Sequence, residues 1–199
     1  MNRSPAATRN RGPRPAPPPL DEARLEELAL AYVARFATSA AKLQRYLARK
    51  LRERGWAGGA EPDIAAIVAR HTELGYVDDA AYARAKAGGL LRRGYGPRRV
   101  NEALGAAGIG QAIREDLAPG EGARRHAALA LARKRRFGPF GLTGRQGAEW
   151  LKQREKQIAA MLRAGHMLGD ARELVDAPSE QAAEQWAADT DDGEPHDHE

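Results

Sequence analysis

Cysteine is absent from this 199-residue chain, which excludes disulfide frameworks, thiolate metal sites and cysteine nucleophiles and fits a reducing interior. Aromatic residues make up only 6%. No run of Val, Ile, Thr and Tyr of the kind that builds strands occurs, so the predicted fold class is all-α. No stretch approaches the roughly 18 consecutive apolar residues of a membrane span, and residues 1–19 lack an apolar signal-peptide core, so the expected location is the cytoplasm. Glycine-rich segments match neither G-x-x-x-x-G-K-[ST] nor a G-x-G-x-x-G after a strand. No third acid or histidine stands at ligand spacing from Asp78 and Asp79, which read as helix caps. His71, His126 and His166 are isolated, and the H-D-H at His196 and His198 is a weak metal signal. No metal, cofactor or enzymatic activity is expected.

What the chain does have is positive charge, unevenly placed. Its formal charge of +5 conceals a division, because nine of the 27 acids and none of the 32 Lys and Arg residues lie from Asp176 onward. The body before that point is strongly basic, and such a field attracts nucleic acid or another polyanion. Residues 1–19 hold six of the twelve prolines, four arginines and no acid, the composition of a disordered basic arm. Its prolines argue against a transit-peptide helix, and Pro15 to Pro18 form one P-x-x-P that an SH3-like domain could read. Residues 178–199 are expected to be a disordered acidic tail.

Between these ends the chain repeats. Basic amphipathic helices stop at Gly55, Gly108 and Gly165, which are 53 and 57 residues apart. A unit of that length holds about three short helices, and stacked units make an extended surface in place of a pocket. Leu25, Leu28, Ala29, Tyr32, Val33 and Phe36 trace one stripe, Leu43, Leu47 and Leu51 a second after the capping pair Thr38 and Ser39, and Ile64, Ile67, Val68 and His71 a third. The predicted units are residues 20–75, 76–119 and 120–177. In the second, Asp78 caps a helix with Val77 and Tyr82 spaced as a hydrophobic staple, Gly94 ends it, Gly96 makes a turn and Pro97 takes the first position of the next helix. In the third, Trp150, Leu151, Ile158, Met161 and Leu162 run toward Gly165, and Leu168, Ala171, Leu174 and Val175 close the unit.

The segment GYVDDAAYARAKAGGLLRRGYGPRRVNEALGAAGI resembles the central repeat of RecX, the bacterial regulator of the recombinase RecA. The pieces G-Y-V-D-D, A-R and R-R-G-Y-G-P-R-R match in order over about 35 residues, and the layout of glycine stops agrees over roughly residues 20–177. The resemblance implies three tandem three-helix repeats forming an elongated, curved molecule. It also implies binding in the groove of the RecA filament on single-stranded DNA, with suppression of ATP hydrolysis, strand exchange and co-protease action. Gly88 and Gly89 depart from the family's continuous helix, and two mid-helix glycines cost about 2 kcal/mol relative to Ala, so a kink or fraying is expected there.

The densest candidate surface is Arg92, Arg93, Tyr95, Arg98 and Arg99, four guanidiniums within eight positions around a rigid turn. Such forks suit phosphates or carboxylates, and the ring can stack. Further strips are Lys42, Arg45, Arg49, Lys50 and Arg52 in the first unit, Arg124, Arg125, Arg133, Lys134, Arg135 and Arg136 in the third, and Lys152, Arg154 and Lys156 on the long helix before Gly165. Arg45, Arg49, Arg52, Arg133, Lys134, Arg135, Arg136, Lys152 and Lys156 join the central patch as candidate RecA- or DNA-binding residues of a monomer. A solvated helix face is the competing explanation for each strip, and a stand-alone nucleic-acid-binding module or a helical scaffold the competing functions.

Overall fold

The computed structural model describes residues 17–141 and 147–189. Among these residues it contains ten α-helices and no strand beyond one isolated bridge between Leu20 and Trp56. The first bundle is α1 (Glu22–Arg35), α2 (Ala40–Arg54) and α3 (Ile64–Glu73). Each starts at a short polar side chain that accepts an otherwise unpaired first-turn amide: Asp21 from Arg24, Ser39 from Lys42 and Asp63 from Ala66. Such a cap contributes typically about 1 kcal/mol. Leu25, Leu43, Leu47, Ile67 and Val77 form one core, and each fully buried aliphatic side chain contributes about 1.5–3 kcal/mol by leaving water. Ordered chain begins before the expected boundary at residue 20. Leu20 is fully buried, its amide donates to the Gly55 carbonyl, and the Arg54 guanidinium donates to the Pro18 carbonyl.

The second bundle is α4 (Asp79–Arg92), α5 (Pro97–Ala106) and α6 (Gln111–Asp116), with Ala83, Ala87, Val100, Leu104 and Ile109 in a separate core. Asp78 caps α4 by accepting from Ala81, and Pro97 occupies the first position of α5. Val77 turns into the first core while Tyr82 packs on the second, so the two join bundles in place of stapling one helix. The fraying expected at Gly88 and Gly89 does not occur. α4 runs through both, and the Arg92 and Arg93 guanidiniums lie back over them where a Cβ would stand 3.2 and 3.5 Å away. Burial of Ala83 and Ala87 on the same helix offsets the propensity cost.

The third bundle comprises α7 (Glu121–Arg135), α8 (Gly147–Arg163), α9 (Leu168–Asp176) and α10 (Glu180–Ala188) around a third core. Here two expectations fail. Residues 178–199 were expected to form a mobile acidic tail, yet α10 follows an N-cap at Ser179 and buries Ala183 and Ala187 completely against the bundle. The alanine spacing of i, i+4 supplies a small-residue face that a charge count overlooks. Leu151 and Leu168, expected on buried stripes, are exposed, as is Phe36 beyond the end of α1. Residues 1–16, 142–146 and 190–199, which include Pro15, His196 and His198, lie outside the described residues.

Neighbouring bundles are joined by one recurring device. At the first joint, the C-terminal carbonyls of α5 meet the N-terminus of α2: the Ser39 hydroxyl donates to the Ala107 carbonyl at 2.6 Å and Arg45 Nη2 to the Ala106 carbonyl at 3.0 Å. Asp79 crosses the joint to accept the Ala40 amide at 2.8 Å, so the two adjacent aspartates cap two different helices. At the second joint, the C-terminus of α8 meets the N-terminus of α5. The Gly96 amide donates to the Ala164 carbonyl at 2.9 Å, the Arg98 amide to the Gly165 carbonyl at 3.2 Å and Arg98 Nη2 to the Leu162 carbonyl at 2.7 Å. Orphan donors of one helix thus satisfy orphan acceptors of the next, and α8, α5 and α2 follow head to tail with dipoles complementing at each contact. Glycine is obligatory at the second joint. A Cβ on Gly96 would lie 2.3 Å from the Gly165 carbonyl carbon, and Gly165 itself has φ 95 with Arg99 N 2.5 Å from the Cβ position.

Candidate anion-binding grooves

The joints decide where the cations go. Three helix C-termini, those of α4, α7 and α8, converge at the second joint, and basic residues favour last turns because they complement the exposed carbonyls. Arg93 and Tyr95 from the second bundle therefore face Lys134, Arg135 and Arg163 from the third across a groove of about 260 Å³, floored by Leu131, Phe137 and Ala160. No acidic residue lines it. Among the described residues none of these four cations takes part in an ion pair, and Tyr95 is 38% exposed. Beside the groove, His166 is buried and its Nε2–H donates to the Gly94 carbonyl at 2.9 Å, leaving Nδ1 unprotonated and without a partner. Burial holds this imidazole below its ordinary range, against the upward pull of the Gly94 carbonyl and the Asp170 charge.

A second groove, about 400 Å³, lies between α1 and α2 and is lined by Lys42, Arg45, Arg49, Arg52, Tyr32 and Tyr46. The two tyrosine rings stack at 4.2 Å, and Arg49 and Lys50 lie over the Tyr46 ring. These cations are already partly engaged. Arg45 serves the first joint, Lys42 donates to the Tyr82 hydroxyl, and Glu53 pairs with both Lys50 and Arg49. The Lys50 hydrogen bond holds the Glu53 carboxyl below the usual carboxylate range.

The central patch read from the sequence is accordingly divided. Arg93, whose guanidinium also lies beside Gly89, lines the joint groove with Tyr95, Arg92 folds over Gly88, and Arg98 and Arg99 both pair with Glu102, at 3.0 and 3.1 Å, with Arg98 also holding the joint. The strip on α7 is divided too. Lys134 and Arg135 face the groove and Arg136 is an exposed residue in the left-handed region with φ 56, but Arg133 pairs with Glu184 of α10. Arg125 is also claimed by α10: it donates to the carbonyls of Trp186 and Asp189, lies over the Trp186 ring and pairs with Glu121. Arg124 faces Asp170 at 3.8 Å. On α8, Lys152 and Lys156 are exposed, while Arg154 is neutralised by Asp176. Gly55, Gly94, Gly108 and Gly165 all have positive φ at helix ends, and Gly108 abuts Ala41 at the first joint. Sequence reasoning missed Arg163, the Tyr32–Tyr46 pair and the cross-joint role of Asp79. The signal for Arg163 was available, since it stands in the last turn before a glycine stop, as Arg92, Arg93 and Arg54 do.

Fold and surface together define a helical repeat protein with basic grooves. No helix among the described residues is long and apolar enough to cross a membrane. Residues 78–117 match the family model described as RecX, second three-helix domain. The chain is 31% identical over 181 residues to a "Regulatory protein RecX" of Myxococcus xanthus, covering 87% of this chain and 95% of that protein. It is 37% identical over 119 residues to a protein of the same name from Xanthomonas axonopodis pv. citri, covering 59% of this chain and 69% of that one. The crystal structure of RecX from Lactobacillus salivarius superposes with a TM-score of 0.59 at 17% identity, over 77% of this chain and 96% of that one. The chain belongs to the RecX family of regulatory proteins. That membership accords with a regulator and not an enzyme.

Proposed function

We propose that this protein binds the RecA filament on single-stranded DNA and restrains it, lowering ATP hydrolysis, strand exchange and co-protease action during DNA repair and the SOS response. The observation that carries the reading is family membership over nearly the whole length of a regulatory relative. The second support is physical. A chain that presents open cationic grooves suits a long, acidic, repeating partner better than a small ligand. Arg93, Lys134, Arg135 and Arg163 at the joint, the α2 strip of Arg45, Arg49 and Arg52, and Lys152 and Lys156 on α8 are the residues offered to that partner.

Titration of the full chain into RecA on single-stranded DNA should lower ATP turnover at near-equimolar or lower ratios. Unchanged turnover across the titration refutes the reading. A stand-alone nucleic-acid module is the second reading, favoured by the unpaired cations themselves. It predicts DNA binding with a slope of log affinity on log salt near −4 for about six phosphate contacts, and no association with RecA when DNA is left out.

A further inference from the structure

The cations of this chain fall into two populations. Those with acidic partners, such as Arg98, Arg99, Arg133 and Arg154, have their charge compensated within the molecule. Arg93, Lys134, Arg135 and Arg163 have no such partner among the described residues, and they converge on one groove. Helix-dipole complementarity explains why basic residues stand at the ends of α4, α7 and α8. It does not explain why three such ends are brought together around a depression with no acid in its lining. Mutual repulsion of four like charges opposes that arrangement, and an external anion relieves it.

The chemistry of the groove narrows the anion. Three guanidiniums and one ammonium offer forked donors suited to phosphate oxygens. Tyr95 stands beside them with part of its ring open, on the turn fixed by Pro97 and by the Gly96 contact to Ala164, so it loses little freedom when a flat group lies on it. The apolar floor of Leu131, Phe137 and Ala160 suits a partner with an unpaired face more than a fully solvated inorganic ion. Phosphate spacing with accessible base faces is the property of a single strand, because duplex bases are stacked away from a side chain on the surface. An acidic peptide supplies carboxylates but no flat face.

We propose that the groove between the second and third bundles is a phosphodiester site for single-stranded nucleic acid, with Arg93, Lys134, Arg135 and Arg163 on the backbone and Tyr95 stacking on a base. This deepens the functional reading above by assigning the nucleic-acid half of the partner to one groove, and it is tested without RecA, so either can fail alone. A site contributed by two bundles also gives a role to the glycine-only contacts that set their relative position.

The test is binding of the full chain to a fluorescent oligothymidylate of about 20 nucleotides, followed by anisotropy across a salt series. Arg93→Gln with Lys134→Gln and Arg135→Gln should weaken binding at least about ten-fold near 0.1 M salt and flatten the salt slope by about 2. The charge-matched set Arg70→Gln, Arg84→Gln and Arg172→Gln, exposed residues away from the groove, should lose far less. Tyr95→Phe should retain affinity, and Tyr95→Ala should lose roughly ten-fold. Unlabelled duplex or polyglutamate should compete poorly. Equal losses from the two triple sets, binding by the groove triple within two-fold of the parent, or polyglutamate competing as well as the oligonucleotide would overturn the proposal. An unchanged Tyr95→Ala would overturn the stacking role. Unfolding midpoints matching the parent establish that the variants are folded.

Discussion

The two joints perform the same connection with different chemistry. At the first, side chains do the joining: Ser39 and Asp79 supply the bonds, and Arg45 reaches across. At the second, backbone meets backbone through Gly96 and Gly165, reinforced by Arg98 and by the neutral His166. A side-chain joint tolerates adjustment, because rotamers can take up small shifts. A backbone joint does not, since the nearest atoms are main chain on both sides. Both joints press a glycine against the neighbouring bundle, Gly108 against Ala41 and Gly96 against Gly165, but only at the second does main chain meet main chain. The glycines are there for contact between bundles, and the arginines around them separate into those that hold the joint and those that face the groove.

Breaking the backbone joint should therefore cost most. Gly165→Ala forces a left-handed alanine against Arg99 and should lose about 3 kcal/mol of stability in urea unfolding. Gly105→Ala on α5, a glycine without positive φ whose Cβ would meet only the Arg114 guanidinium at 3.6 Å, should instead be neutral or gain about 0.5 kcal/mol. Equal effects of the two would remove the distinction between joint glycine and helix glycine. Ser39→Ala strips both the α2 cap and the bond to Ala107, and should cost roughly 1–2 kcal/mol by the same measurement. A loss as large as that of Gly165→Ala would mean that the two joints are not different in kind.

The smallest effect concerns pH. Because the folded His166 has a lowered pKa, the unfolded chain takes up its proton first as the medium acidifies. Its contribution is intact above the unfolded value near 6.5 and is lost below it, at no more than about 1.4 kcal/mol per pH unit for one proton. His166→Gln keeps a donor for the Gly94 carbonyl but cannot titrate. Unfolding midpoints measured from neutral pH down to about pH 5.5 should fall less steeply for this variant than for the parent. Parallel curves would show that the second joint carries no proton-sensitive contact.

The helices were legible in the sequence where periodicity and caps agreed. Asp78, Ser39, Pro97 and the apolar stripe of α2 each state a local rule that the fold obeys. α10 was not legible, because its buried face consists of Ala183 and Ala187 within an acidic context, and only packing against α7 distinguishes it from a solvated tail. The grooves were half legible. Clustering along the chain found Arg93, Tyr95, Lys134 and Arg135, but Arg163 meets them only because the second joint folds residue 163 against residue 95. Pairing was not legible at all: that Glu102 occupies Arg98 and Arg99, or that Glu184 takes Arg133, follows from side-chain geometry after folding.

The most direct measurement is inhibition of RecA ATP hydrolysis on single-stranded DNA by two variants: the groove triple Arg93→Gln, Lys134→Gln and Arg135→Gln, and Arg99→Gln, whose guanidinium pairs with Glu102 and does not hold the joint. If the joint-groove cations engage the filament, the triple should need at least about ten-fold more protein for half-inhibition than the parent, and Arg99→Gln much less than that. A triple that inhibits like the parent while Arg99→Gln fails would place the contact on an arginine that Glu102 already holds, and would contradict the account.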